Sequence, residues 1–116
     1  MSCCSESVVK TETMVWTYTF PVNYDLSTFT SSFRIAESEG ATVLLTVDET
    51  PTVNGSRTLC SEREVQVRIE IPDLQTLPDA DPISDPWVGV FEMDVTSVTG
   101  TVTRIDYGEF VLEKGV

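Results

Sequence analysis

WVGVFEMDV (residues 87–95), a turn around Thr99-Gly100, and VTRIDYGEFVL (residues 102–112) decide the fold. Read as extended chain, Trp87, Gly89, Phe91, Met93 and Val95 share one face, while Glu92 and Asp94 fall on the other. The second segment supplies the return strand, and its lone glycine, Gly108, predicts a bulge or bend. Together they form the closing hairpin of a β-sandwich. No catalytic motif lies in it.

Working back from that hairpin, residues 63–71 give the sharpest alternation in the chain. Val65, Val67, Ile69 and Ile71 point inward and Glu64, Gln66, Arg68 and Glu70 outward. A slip of one residue would bury those four polar groups, so the register is well fixed. Residues 14–20 alternate as well, with Met14, Trp16, Tyr18 and Phe20 on one face and Val15, Thr17 and Thr19 on the other. Pro21 ends that strand because proline donates no ladder hydrogen bond. A connection with turn chemistry at Asn23 and Asp25 follows. Residues 29–37 and 41–48 read as two further strands joined at Glu39-Gly40, and the apolar run from Val43 to Val47 predicts a strand covered on both faces. Asn54-Gly55 signals a tight turn, with residues 57–60 as the return of a small hairpin. Residues 72–86 hold four prolines and four aspartates. They read as a long connection with one helical turn over 73–77, capped by Asp73 and docked through Leu74 and Leu77.

No stretch shows sustained helical periodicity. The expected fold class is therefore all-β, a two-sheet antiparallel β-sandwich of immunoglobulin-like, Greek-key type, although the Cys…Trp…Cys signature of antibody domains is absent. The expected organisation is a polar arm over residues 1–13, either loose or ordered against a neighbouring subunit, and a single sandwich domain over residues 14–116.

Composition bounds the function. The chain has 116 residues, enough for one core, and is 41% hydrophobic and 22% charged, which excludes wholesale disorder. Nineteen acidic residues against seven basic ones give a formal charge of −12 with no histidine. That field disfavours nucleic acid and anionic membranes and suits a basic partner surface, a cation, or simply a well-solvated exterior. No apolar run approaches the ~20 residues that span a bilayer, and the N-terminal residues lack a signal-peptide core. Cys3, Cys4 and Cys60 are odd in number and lack C-x-x-C spacing, so free thiols in a reducing compartment are expected rather than a disulfide framework or a zinc site.

Chemistry finds little to stand on. Without histidine there is no ordinary Ser-His or Cys-His nucleophile. Glu64 and Glu70 offer carboxylates for a glycosidase pair, but they sit beside Arg68 on a solvated strand face. Asp79, Asp81 and Asp85 could direct oxygens at a calcium ion; Pro82 and Ile83 interrupt that ladder, and no glutamate follows in the twelfth place. Asn54-Gly55-Ser56 matches a glycosylation sequon and is better read as a turn. Trp16 and Trp87 could stack a sugar, but the striping of Trp16 with Tyr18 and Phe20 reads as core. No catalytic, cofactor-binding or metal-binding residue is assigned, and no enzyme is expected.

One resemblance supplies a context. Residues 20–27, FPVNYDLS, together with WVGVFEMDV, Gly100 and YGEFVL (residues 107–112), resemble small bacteriophage structural proteins, including the N-terminal domain of upper baseplate proteins. The shared pattern is an opening Asp-Leu-Ser/Thr turn, a late strand ending Asp-Val/Leu, a glycine turn and a Gly-x-Phe-x-Val/Leu close. The long Pro/Asp loop departs from it. The resemblance implies a non-enzymatic virion protein assembled in the host cytoplasm, present in many copies or as a homo-oligomer. It would dock onto other virion proteins in tail, baseplate or neck, without nucleic acid or membrane. A capsid decoration or cement protein is the alternative, and a carbohydrate-binding or adhesin module a more distant one.

Overall fold

Val65, Val67 and Ile69 are fully buried, and Glu64, Gln66 and Arg68 beside them are exposed, so the expected alternation sets a strand of the second sheet over residues 64–69. Ile71, expected inward on the same strand, instead opens a helical turn and is only part-buried. A computed structural model describes residues 6–21, 25–79 and 86–114. The described elements are β1 (Glu6–Val9), β2 (Met14–Thr19), β3 (Thr30–Ala36), β4 (Val43–Asp48), β5 (Arg57–Cys60), β6 (Glu64–Ile69), α1 (Ile71–Leu74), β7 (Trp87–Thr96) and β8 (Val102–Glu113). Five strands form one sheet in the order β1-β8-β7-β3-β4, and three form the other, β2-β6-β5. Lettered A′ to G along the chain, these sheets read A′GFCC′ and BED. That is the immunoglobulin-like arrangement. The protein is an all-β sandwich.

The sheets are joined by aromatic rings. Trp16, from β2, reaches across to Phe33, Phe91 and Phe110 at centroid distances of 5.5, 5.2 and 5.9 Å. Phe33 stacks on Phe91 at 5.5 Å and meets Phe110 edge-on at 6.4 Å. Such contacts add about 0.5–1.5 kcal/mol per pair beyond the area they bury. The rings stand where antibody domains carry a disulfide between the second and seventh strands. The described cysteine, Cys60, is free.

The hairpin of β7 and β8 is paired from Trp87↔Leu112 to Thr96↔Val102. Its irregularity corrects the expectation at Gly108, which pairs in register with Phe91. The register shifts instead between Met93 and Asp94, which face Asp106 and Arg104 and leave Ile105 as the extra residue. Both Ile105 and Asp106 are buried there, so the bulge turns a second consecutive side chain inward.

Gly89 has a separate purpose. A Cβ on it would lie 2.3 Å from the Trp87 ring and 2.5 Å from the Ala36 carbonyl oxygen. The ring could swing away but the backbone oxygen could not. Gly89→Ala should therefore cost about 2 kcal/mol, within the usual overpacking range. Urea denaturation checks this, and a loss within about 0.5 kcal/mol, typical of an indifferent surface change, would refute it.

Four further expectations are corrected. Residues 6–13 are not a separate arm. Glu6, Ser7, Val8 and Val9 pair in parallel with Phe110, Val111, Leu112 and Glu113, so β1 covers the open edge of β8 and buries Val8 in the core. The strand at 43–48 is not covered on both faces. As β4 it is an edge strand of the five, and Val43 and Leu44 are exposed at 44% and 42%. The return strand β5 does not pair back across the Asn54-Gly55 turn; it lies in the other sheet, where it forms an antiparallel hairpin with β6. Asp73 does not cap the helical turn, whose N-cap is Glu70 without a side-chain bond, although Leu74 and Leu77 do dock in the core. Asp25 makes its expected turn, accepting from the Ser27 amide and hydroxyl at 3.0 and 2.7 Å. Asn23, Asp81, Asp85, Cys3 and Cys4 lie outside the described residues.

Candidate functional site

The outer face of the five-stranded sheet gathers charge by register alone. Alternation turns Arg34 of β3, Glu92 of β7 and Tyr107 of β8 outward. Pairing sets Arg34 opposite Glu92, Glu92 opposite Tyr107, and Asp94 opposite Arg104. The Arg34 guanidinium donates to Glu92 Oε1 at 3.1 Å and also to Asp94 Oδ2. Arg104 bridges the same two carboxylates, with Nη1 to Glu92 Oε2 and Nε to Asp94 Oδ1 both at 3.1 Å.

Two cations and two anions thus close a ring of alternating charge around Asp94, whose side chain is buried. The hydrogen bond to Asp94, reinforced by the fields of Asp94, Glu92 and Glu39, raises the Arg104 guanidinium above its ordinary value against the opposing pull of desolvation. Both guanidiniums are thus paired with the two carboxylates, while the buried Arg34 Nε–H has no hydrogen-bond partner among the described residues.

Beside this ring lies an open concavity of about 490 Å³, close to the β3–β4 turn. Ala36, Val43 and Val90 supply apolar wall, and Tyr107, Glu39 and Glu109 stand around them. Val43, Val88 and Tyr107 are each 44–53% exposed. Among the described residues no group of three His, Cys, Asp or Glu side chains could hold a metal ion, and no helix is long and apolar enough to cross a membrane.

The residues singled out by sequence fall elsewhere. Glu64 lies on the outer face of the three-stranded sheet, and Glu70 accepts from Arg68 at 2.6 Å and from Thr13 at 3.2 Å. Asp79 accepts from Lys10 Nζ at 2.7 Å, and this bond holds its carboxyl below the usual aspartate range. Its role toward a cation with Asp81 and Asp85 falls outside the described residues. The Asn54 side chain is occupied, donating to Asp73 at 2.8 Å. Trp87 is buried and Trp16 faces the phenylalanines, so neither ring is offered to a sugar. Cys60 is half-buried, and burial, with Glu49 adding to it, pushes its thiol up despite an opposing bond with Ser31. A raised thiol is a poor nucleophile.

Sequence reasoning did not find the Arg34–Glu92–Asp94–Arg104 ring, the buried Lys10 ammonium that also donates to the Leu77 carbonyl at 2.8 Å, or the hub at Asp73. Outward positions of opposite sign on three strands were the available signal for the first. No protein-family model matches the chain, and no curated protein matches it.

Proposed function

We propose that the protein is a non-enzymatic structural subunit of a bacteriophage particle, a β-sandwich that docks onto other virion proteins in tail, baseplate or neck. The observation that carries this reading is where the polar chemistry goes. Lys10, Asp73, Asp94 and the two arginines are engaged in holding the fold, whereas Val43, Val88 and Tyr107 stand in the open on one sheet face. An apolar centre with a charged rim suits a protein partner. The resemblance of residues 20–27, 87–95, Gly100 and 107–112 to phage structural domains supplies the setting. Many copies are expected, since particles are built from rings and lattices. With Trp16 and Trp87 packed inward, the carbohydrate-binding alternative has no platform on these two rings.

Immunogold labelling of purified particles, beside mass spectrometry of their proteins, tests the proposal. The expected result is the chain in multiple copies, with gold at tail, baseplate or neck. Gold over the shell would favour the capsid-decoration alternative. Particles that lack the protein, taken from lysates that contain it, would refute a virion role.

A further inference from the structure

We propose that Asn54 is a guarded modification site, whose side-chain amide is lost through attack by the Gly55 nitrogen when Asp73 releases it, and whose product cannot rebuild the Asp73 hub. An asparagine followed by glycine is especially prone to this reaction, because glycine has no Cβ to obstruct its own nitrogen. Asn54 and Gly55 both lie exposed on the connection between β4 and β5, where solvent water reaches them. This chemistry belongs to the chain alone and is independent of what the sandwich docks onto.

Hydrogen bonds hold both reacting groups away from each other. The Gly55 N–H donates to the Thr52 carbonyl at 2.9 Å, which keeps the proton on the nitrogen that must attack. Asn54 Nδ2 donates to Asp73 Oδ1 at 2.8 Å. A carboxylate only accepts, so this contact fixes which end of the amide faces it. Ser56 and Thr52 donate to the other oxygen, Oδ2, and the Thr52 N–H closes the turn onto the Ser56 carbonyl at 2.8 Å. Cyclisation must break the Gly55 and Asn54 bonds together, and the second, to a charged acceptor, is the stronger kind.

In the reaction the Gly55 nitrogen forms a bond to Asn54 Cγ and the Cγ–Nδ2 bond breaks. The Gly55 proton leaves with Nδ2 as ammonia, and a cyclic imide remains. Water opens the imide at one of its carbonyls, giving aspartate or isoaspartate, with no change of oxidation state. Either product sets a carboxylate where an N–H2 now donates to Asp73, itself buried. Two carboxylates sharing a site repel, and the field of Glu70, bridged to Arg68, adds to theirs. Isoaspartate also lengthens the backbone between Thr52 and Gly55, which the bond closing that turn does not fit. The turn then comes away from the start of α1.

Peptide mapping by mass spectrometry, on whole protein incubated in neutral buffer, follows the conversion at Asn54, with the urea-unfolded chain as reference. The folded protein should convert roughly tenfold more slowly or less, because local opening must come first. Asp73→Ala should speed the folded protein by roughly fivefold or more, since it frees the amide. Phe33→Ala and Gly89→Ala weaken the fold in the other sheet and leave the hub intact, so they should stay within about twofold of wild type. Equal acceleration by all three would overturn the proposal, because general unfolding would then limit the reaction. So would a folded protein that converts as fast as the unfolded chain. The product is tested separately by urea denaturation of Asn54→Asp beside Asn54→Ala. The aspartate should lower the ratio of folded to unfolded protein by roughly threefold or more beyond the alanine, through its charge. Equal stability of these two variants would overturn the claim that the product disrupts the hub.

Discussion

Phe33→Ala should lower the free energy of unfolding by about 4 kcal/mol, within the 3–5 kcal/mol typical of an emptied aromatic site. Phe33 has no exposed surface and sits where the two sheets meet. It stacks on Phe91, receives the Trp16 ring at 86°, and meets Phe110 edge-on. An alanine leaves three rings facing a void too apolar for water to fill. The surrounding strands cannot close it, because β3 is paired on both sides, with β4 and with β7.

Against a typical domain stability of ~5–15 kcal/mol, that loss is a large fraction of the whole. Urea denaturation followed by tryptophan emission reads it, since Trp16 borders the void. Leu59→Ala is the comparison: Leu59 is 46% exposed on an edge strand and should lose less than about 1 kcal/mol. A similar loss at the two positions would contradict the account of a single core joined by its rings.

The strands of the sandwich were legible because alternation is a local signal. Val65, Val67 and Ile69 announce their face from spacing alone, and so do Phe33 and Ile35. What failed depends on which strand lies beside which. The run from Val43 to Val47 has the composition of a central strand, yet topology sets β4 at an edge. Residues 6–9 look featureless because their pairing is with backbone more than a hundred positions away, and nothing in Glu-Ser-Val-Val names that partner. Gly108 attracted the bulge because a glycine weakens any strand, but Ile105 took it, where the shift brings Asp94 level with Arg104.

The candidate site follows the same rule. Arg34, Glu92, Asp94 and Arg104 belong to three strands, and each residue alone reads as an ordinary solvated charge. Only the registers of β3 with β7 and of β7 with β8 close them into a ring. Its apolar neighbours Val43 and Val90 were assigned by sequence to strands rather than to a surface, since exposure is decided by what covers a face. The closing hairpin therefore predicted the scaffold, while the charged and apolar surface on its outer face emerged only from assembled strands.

Asp73→Ala should cost about 3 kcal/mol at neutral pH, because a buried carboxylate accepting several bonds leaves its donors unsatisfied when removed. Asp73 is 6% exposed and accepts from Ser56 Oγ at 2.5 Å, Thr52 Oγ1 at 2.6 Å and Asn54 Nδ2 at 2.8 Å. Ser56 in turn accepts the Glu70 amide at 2.8 Å, and Thr52 Oγ1 accepts the Ser56 amide at 3.1 Å. One side chain thus locks the turn at Gly55, whose φ of +95° suits glycine, to the start of α1. Burial pushes the carboxyl up, but the bonds from Ser56, Thr52 and Asn54 outweigh it and hold Asp73 below its ordinary 3.8.

A folded value below the unfolded one means that the contribution is fully present above the unfolded pKa. It is lost as pH falls through the lower folded value. Asp25, Glu70 and Asp79 are lowered too, so absolute stability falls with acid in every variant. The readout is the gap between wild type and Asp73→Ala, which should be constant near neutrality and shrink below about pH 4. Asp73→Asn, which keeps the shape but turns an N–H2 toward one of the donors, should lose roughly 1–2 kcal/mol and show the same shrinking gap. A gap that stays level from neutral pH down to about pH 3 would show that the ionised carboxylate does not hold the turn.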